Sequence, residues 1–135
     1  MSTLDLAATM RALATALLTA KVVEHAYPYP IEGAEQNAAV VGYPAVIEYG
    51  RTFSQAPQDA TLPVWIVGGL VFEEATLDEV SAFLATDAQT VKDTLEGDIG
   101  LGDVSVLVTR ISIESMVTNN DLRHIAVRFD VEVKA

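Results

Sequence analysis

The sequence contains no cysteine among its 135 residues. Without cysteine it can form neither disulfide bonds nor thiolate metal sites, so its fold must depend on core packing and on partners. It also lacks the run of roughly 20 apolar residues that a membrane span needs. The apolar N-terminus, residues 1–23, is interrupted by Asp5 and Arg11, and no basic region precedes it, as a signal peptide would require. We therefore expect a soluble domain that begins with a helix.

Basic residues are scarce, because eight Lys and Arg stand against 19 Asp and Glu, which gives a net charge of -11. Proteins that bind DNA or RNA usually present clusters of Lys and Arg to the phosphates, and here the eight basic residues are scattered singly. Specific nucleic-acid binding is therefore not expected. The same acidity suits a surface along which DNA must slide without being held.

Hydrophobic residues make up half of the chain, which is typical of a folded globule and not of a disordered segment. The length matches one domain with a sizeable core. We therefore assign residues 1–135 to a single domain.

The first half of the chain predicts one helix followed by three strands. The helix runs to about Ala20, with Ser2 or Thr3 as its cap and Asp5 in its first turn. Its apolar residues recur at helical spacing, at Leu6, Met10, Leu13 and Leu17. Strands are predicted at 22–27, 38–49 and 62–72, separated by loops at 28–37 and 50–61. The second strand should bend or break at Gly42-Tyr43-Pro44, and the third, apolar on both faces, should be central.

The second half predicts two short helices and a hairpin. Capping-box pairs open the helices at Thr76 and at Thr86, and the second helix should stop at Gly97. Leu77, Val80 and Leu84 are expected on one side of the first of these helices. The hairpin comprises strands 104–118 and 122–134. The fold class is therefore α+β, a mostly antiparallel sheet with helices on one face, in the order α-β-β-β-α-α-β-β and ending in a long β-hairpin.

The hairpin register follows from parity. Residues that face each other across an antiparallel pair share one face of the sheet. The apolar set near the turn is odd-numbered in both strands, so facing numbers must sum to an even value; it comprises Ile111, Ile113 and Val117 in the first strand and Val127, Phe129 and Val131 in the second. This requires a loop of three or five residues. A sum of 242 would place Arg110 opposite Glu132 and Glu114 opposite Arg128, so we prefer it to 240.

No catalytic, cofactor or metal residues are predicted. His25 and His124 lack metal-ligand spacing, and no serine lies in a nucleophile motif. The glycine-rich stretch 97–103 follows a helix, lacks the lysine of a phosphate loop and carries two aspartates, so it is read as a connection. We therefore expect that the protein is not an enzyme.

Aromatic residues next to prolines are the best candidates for an interface. In Tyr27-Pro28-Tyr29-Pro30 two rings sit on a stiff segment and offer contact area at low entropic cost, although packing at a strand end explains them equally well. The candidate interface residues are Tyr27, Tyr29, Tyr43, Arg51 and Phe53.

Short segments spread over nearly the whole chain carry a family resemblance. After the Ala-rich first helix they are His25-Ala26-Tyr27-Pro28, Ala38-Ala39-Val40-Val41-Gly42 with Pro44, Ile47-Glu48-Tyr49 before Thr52-Phe53, Ala60-Thr61-Leu62-Pro63-Val64, Val91-Lys92 with Leu95-Glu96, and Ala126-Val127-Arg128-Phe129-Asp130-Val131-Glu132-Val133. In this order they resemble the small tail-terminator or head-to-tail connector proteins of long-tailed, non-contractile bacteriophages, especially those that infect actinobacteria.

The resemblance implies a structural protein of the virion tail or neck, assembled in the host cytoplasm. Such proteins form a homo-oligomeric ring, commonly of six copies, that caps the tail tube protein and joins it to the head-completion or neck protein. DNA passes through the ring without specific binding, and no membrane, cofactor or catalytic residue is implied.

Three alternatives remain open. A neck protein on the head side would share the fold and the charge. A small-ligand-binding domain would be a monomer with a closed apolar pocket near Trp65. An enzyme would need titratable groups clustered in a cleft.

Overall fold

The computed structural model describes residues 5–21, 23–30, 37–44, 46–49, 57–70, 77–78, 81, 91–97, 105–117 and 122–134. Within these ranges two helices and six strands have defined bounds. In chain order they are α1 (Leu6–Thr19), β1 (His25–Tyr27), β2 (Ala38–Val41), β3 (Val46–Tyr49), β4 (Pro57–Leu70), α2 (Val91–Glu96), β5 (Ser105–Val117) and β6 (Arg123–Lys134). Residues 77–78 and 81 are also helical.

The strands form one sheet in the order β1-β2-β4-β6-β5, with β3 also paired to β4. All pairs are antiparallel except β1 with β2. The expected α+β class with a mostly antiparallel sheet is therefore confirmed. The central position of β4 is also confirmed, since β6 flanks it on one side and β2 and β3 share the other.

The break expected at Gly42-Tyr43-Pro44 is present, and it divides the predicted strand 38–49 into two strands, β2 and β3, because Pro44 has no N–H to donate. Four strands therefore precede α2 where three were expected. In addition, β4 begins at Pro57, so residues 57–61 of the predicted loop 50–61 belong to the sheet. Asp59 and Thr61 lie on either side of buried Ala60, which pairs with Val133.

Helix α1 begins at a cap different from the one predicted. The Asp5 side chain accepts a hydrogen bond from the Ala8 N–H at 3.1 Å, so Asp5 is the N-cap itself. Ser2 and Thr3 lie outside the described residues. The predicted apolar face is confirmed, since Met10, Leu13 and Leu17 are buried.

The main core lies between one face of the sheet and the two helices. Leu13 and Leu17 of α1 and Leu95 of α2 pack in one cluster with residues from every long strand. Phe129 is fully buried and is the largest of these side chains. Leu77, by contrast, which was expected on one side of a helix with Val80 and Leu84, is 70% exposed. Val80 and Leu84 lie outside the described residues.

The hairpin pairs in an even register of 240, not 242. Ile113 faces Val127 and Val117 faces Arg123, which leaves residues 118–122 between the strands, an odd loop as parity predicted. The preference for 242 was wrong because it counted only charge pairs between directly facing residues of β5 and β6, whereas Glu114 has partners on β4 and diagonally on β6. Glu114 accepts a hydrogen bond from Trp65 Nε1 at 2.8 Å and still reaches Arg128 diagonally, with 3.9 Å between Glu114 Oε1 and Arg128 Nη1.

A β-bulge at Thr109 shifts the register in the first part of β5. Val108 pairs with Val131, whereas Arg110 pairs with Asp130. The bulge lets even-numbered Val108 and odd-numbered Ile111 face the same core. Beyond it, Ile113 was expected in the apolar set but is exposed. The Val108 N–H donates to Glu96 Oε2 at 2.9 Å, which ties α2 to β5.

Candidate assembly surface

An open groove of about 230 Å³ lies where the start of α1 meets the segments that follow β1 and β2. Seven of the described residues line it, namely Leu6, Ala7, Met10, Arg11, Pro28, Tyr29 and Tyr43. Six of these seven have no charge, and Arg11 contributes a guanidinium. The described lining therefore combines apolar surface with the Arg11 cation, which is a composition suited to contact with another protein.

Helix α1 provides one side of the groove. The Asp5 cap fixes where the helix starts, and residues four apart then lie on the same face. Met10 is buried and Leu6 is half-buried, while Ala7 and Arg11 are exposed. The buried residues anchor this side to the core, and the exposed ones remain available to a partner.

The other side carries two of the tyrosines that the sequence singled out. Tyr29 lies between Pro28 and Pro30 and is 53% exposed. Tyr43 lies in the break between β2 and β3 and is 65% exposed. Tyrosines presented on such restricted backbone lose little conformational entropy on binding. The fold thus brings Tyr29 and Tyr43 into one groove.

Gly42 determines how Tyr43 is presented. Its N–H donates to Pro63 O at 2.8 Å, which holds the end of β2 against β4. A Cβ at this position would lie 2.6 Å from Trp65 Cζ3 and 2.7 Å from Pro63 Cγ. Only glycine lets the chain lie this close to β4 before it turns away at Tyr43.

The remaining candidate interface residues do not line the groove. Tyr27 is half-buried and packs with Ala38, Val40 and Val67, on the sheet face opposite the helices. Arg51 and Phe53 lie outside the described residues. Sequence reasoning missed the contribution of α1, because Leu6, Met10 and Arg11 look like ordinary parts of an amphipathic helix. The only available signal was the isolated charge of Arg11 within an apolar run.

Trp65 lies on the face opposite the helices and is held by a polar network. Its Nε1 donates to Glu114, and Arg128 lies over its ring at 5.7 Å from the centroid. Arg128 Nε also donates to Asp130 Oδ1 at 2.8 Å. The ring therefore contacts Gly42 at its edge and Arg128 over its face, and it does not line the groove.

Charge is distributed unevenly along the chain. The described ranges contain seven of the eight Lys and Arg residues but only ten of the 19 Asp and Glu residues. On the outer face of the sheet several carboxylates are paired, for example Glu132 with Lys134 at 3.0 Å. Most of the excess negative charge thus belongs to sequence segments between the described elements.

The two histidines differ in burial. His25 is exposed on β1. His124 is buried, and its Nδ1 donates to the Gly68 carbonyl at 2.8 Å, beside the irregular pairing between Val67 and Leu70. Across the part of the chain that the structure describes, no three His, Asp or Glu side chains form a group that could hold a metal ion. Neither α1 nor α2 is long and apolar enough to cross a membrane.

Comparison with models of known protein families and with curated protein sequences finds no match to this chain.

Proposed function

We propose that this chain is a structural virion protein that caps the tail tube of a long-tailed, non-contractile bacteriophage and joins it to the head-completion proteins. In this proposal about six copies close into a ring around the channel for the genome. The chemistry required is adhesion between protein surfaces, with no reaction and no bound cofactor.

The observation that carries the proposal is the location of the segments that resemble tail terminators. They fall on β1, β2, β3, β4, α2 and β6, which include the centre of the sheet and one of the helices packed on it. A resemblance confined to one loop or helix would reflect local sequence preference. This one extends over adjacent strands of a single sheet, so it concerns the whole framework.

The surface also supports an assembling protein. Tyr29 and Tyr43 are exposed in one groove, and Leu77 is exposed elsewhere in the chain. Aromatic residues are enriched at protein interfaces and dominate their binding energy. A ring needs two different surfaces on every copy, because its contacts are heterologous.

The net charge of the chain supports the proposal that DNA passes through the ring. A net charge of -11 repels the phosphate backbone, and seven of the eight basic residues lie on the described framework. A ring that exposes acidic segments to its channel lets the duplex pass without holding it. Specific or tight DNA binding by the isolated chain would contradict this part of the proposal.

The test is a phage whose gene for this chain carries an early stop codon, with a synonymous change at the same codon as control. We expect DNA-filled heads and tail tubes that remain unjoined, and recovery of joined particles when the chain is supplied in the host. Joined, infectious particles without the chain would contradict the proposal. If the chain instead stays with the unjoined heads and the tubes are normally capped, the head-side alternative is correct.

A further inference from the structure

The most exposed large hydrophobic side chain in the described part of the protein is Leu77, at 70%. It lies in a helical stretch with Asp78, which is also exposed. Ser81, which is also helical, is exposed as well. This surface, formed by Leu77, Asp78 and Ser81, presents a leucine next to a carboxylate.

The groove has the complementary composition. The groove is open to solvent, and its described lining is apolar and aromatic except for the charged Arg11. A leucine that enters it would exchange water for contact with Met10 and the two tyrosine rings, and a carboxylate beside that leucine could pair with Arg11. Hydrophobic burial provides the attraction, and the charge pair fixes the orientation.

We propose that the groove of one copy receives the Leu77–Asp78 surface of the next copy, with Asp78 paired to Arg11 of its neighbour. The inference rests on the proposed function, because a ring is what requires a second copy as the occupant. The groove and the Leu77–Asp78 surface are different surfaces of the chain, so the contact is heterologous. Contacts of this kind propagate from copy to copy and close into rings when the rotation allows it.

Charge reversal tests the pairing. Arg11→Glu would place two carboxylates together, and Asp78→Arg would place two guanidinium groups together, so each variant should self-associate at least about tenfold more weakly than wild type in sedimentation velocity. The chain that carries both substitutions should recover association. An equimolar mixture of the two single variants should recover it too, because copies that alternate around a ring then present opposite charges at every contact.

Matched controls have the same charge change at exposed sites outside the groove. Arg123→Glu and Glu24→Arg alter the net charge as the two test variants do, and both side chains are exposed. They should change association less than twofold. Equal effects of control and test variants, or no recovery in the double variant, would overturn the proposed pairing.

Disulfide trapping detects the contact even where association is weak. Because the chain has no cysteine, Ala7→Cys with Ser81→Cys introduces the only two thiols, one in the groove and one beside Leu77. Under mild oxidation this variant should give a ladder of covalent multimers, and Arg11→Glu should diminish the ladder. Thr15→Cys with Ser81→Cys is the matched control, since Thr15 is exposed on α1 outside the groove. A ladder no stronger than that of the control overturns the inference.

The two proposals can fail separately. Rings that form normally in the Arg11→Glu and Asp78→Arg variants would refute this contact and leave the proposed function intact. A chain that gives the predicted ladder, yet whose loss leaves heads and tails joined, would refute the proposed function and leave the contact standing.

Discussion

Phe129 and Asp130 are sequence neighbours on β6 that face opposite sides of the sheet. Phe129 is fully buried in the main core, whereas the Asp130 carboxylate accepts a hydrogen bond from Arg128 on the outer face. Phe129→Ala should lower the free energy of unfolding by about 3–5 kcal/mol, through lost burial and a residual cavity. Asp130→Ala should cost no more than about 1 kcal/mol, since a partly solvated ion pair contributes little. Urea denaturation measures both, and equal losses would contradict the assignment of faces.

Substitution of Gly42 by alanine tests how closely the end of β2 approaches β4, because it adds a single methyl group there. Gly42→Ala would place a Cβ 2.6 Å from Trp65 Cζ3, so the indole must move or β2 must separate from β4. We expect a loss of about 1–3 kcal/mol in unfolding free energy, as for an overpacked site. Trp65 is the only tryptophan, so its fluorescence reports directly on the displacement.

The control for Gly42 is the same substitution in a chain with a smaller residue on β4. In a Trp65→Val background the added methyl group should cost less, because the contact with the indole is gone and the one with Pro63 Cγ remains. An unchanged tryptophan emission spectrum and unchanged stability in Gly42→Ala alone would show that the contact between Gly42 and Trp65 is not close.

At the scale of the element, the cap of α1 determines how the groove is built. Asp5→Ala removes the acceptor for the Ala8 N–H and should cost about 0.5–2 kcal/mol, whereas Asp5→Asn should retain most of the stability. Thermal melts followed by helical circular dichroism test this. Glu24→Ala is a suitable control because Glu24 is exposed outside the groove. If Asp5→Ala and Glu24→Ala were equally mild, Asp5 would not be an effective cap.

The elements also show which parts of the fold the sequence could predict. The alternation in β6 and the helical spacing in α1 are periodic over several turns or pairs, so both were predicted correctly in type and nearly in length. The start of β4 was missed because Asp59 and Thr61 are polar and face outward, so the sequence of this segment has the composition of a loop. Nothing local in Val108-Thr109-Arg110 distinguishes the bulge, which reconciles two registers set by distant partners.

The groove was predictable only in part. Tyr29 could be singled out from the sequence because prolines flank it, and Tyr43 because it lies at a break in a strand. Their convergence on Leu6 and Met10 depends on how α1 packs against β1 and β2, and that packing is a long-range property of the fold. The same holds for Trp65, whose partner Glu114 lies 49 residues away in the chain.

At the scale of the whole molecule, a nearly charge-balanced framework alternates along the chain with acidic sequence segments. Ten carboxylates and seven basic residues lie on the described ranges, and nine carboxylates with one arginine lie outside them. In the proposed ring, the framework of one copy would contact the next, and the acidic sequence of the remaining segments would disfavour contact with DNA. It also predicts no retention of the chain on duplex DNA at low salt, where phosphate binders are held most tightly.

The number of copies of this chain in each virion tests the central claim most directly. Quantitative mass spectrometry of purified particles should find about six copies, the number that one ring at the end of the tail requires. A reconstruction of the neck should place them between the tail tube and the head, with the groove of one copy facing Leu77 and Asp78 of the next. Absence of the chain from the particles, or hundreds of copies distributed along the tube or the capsid, would contradict the account.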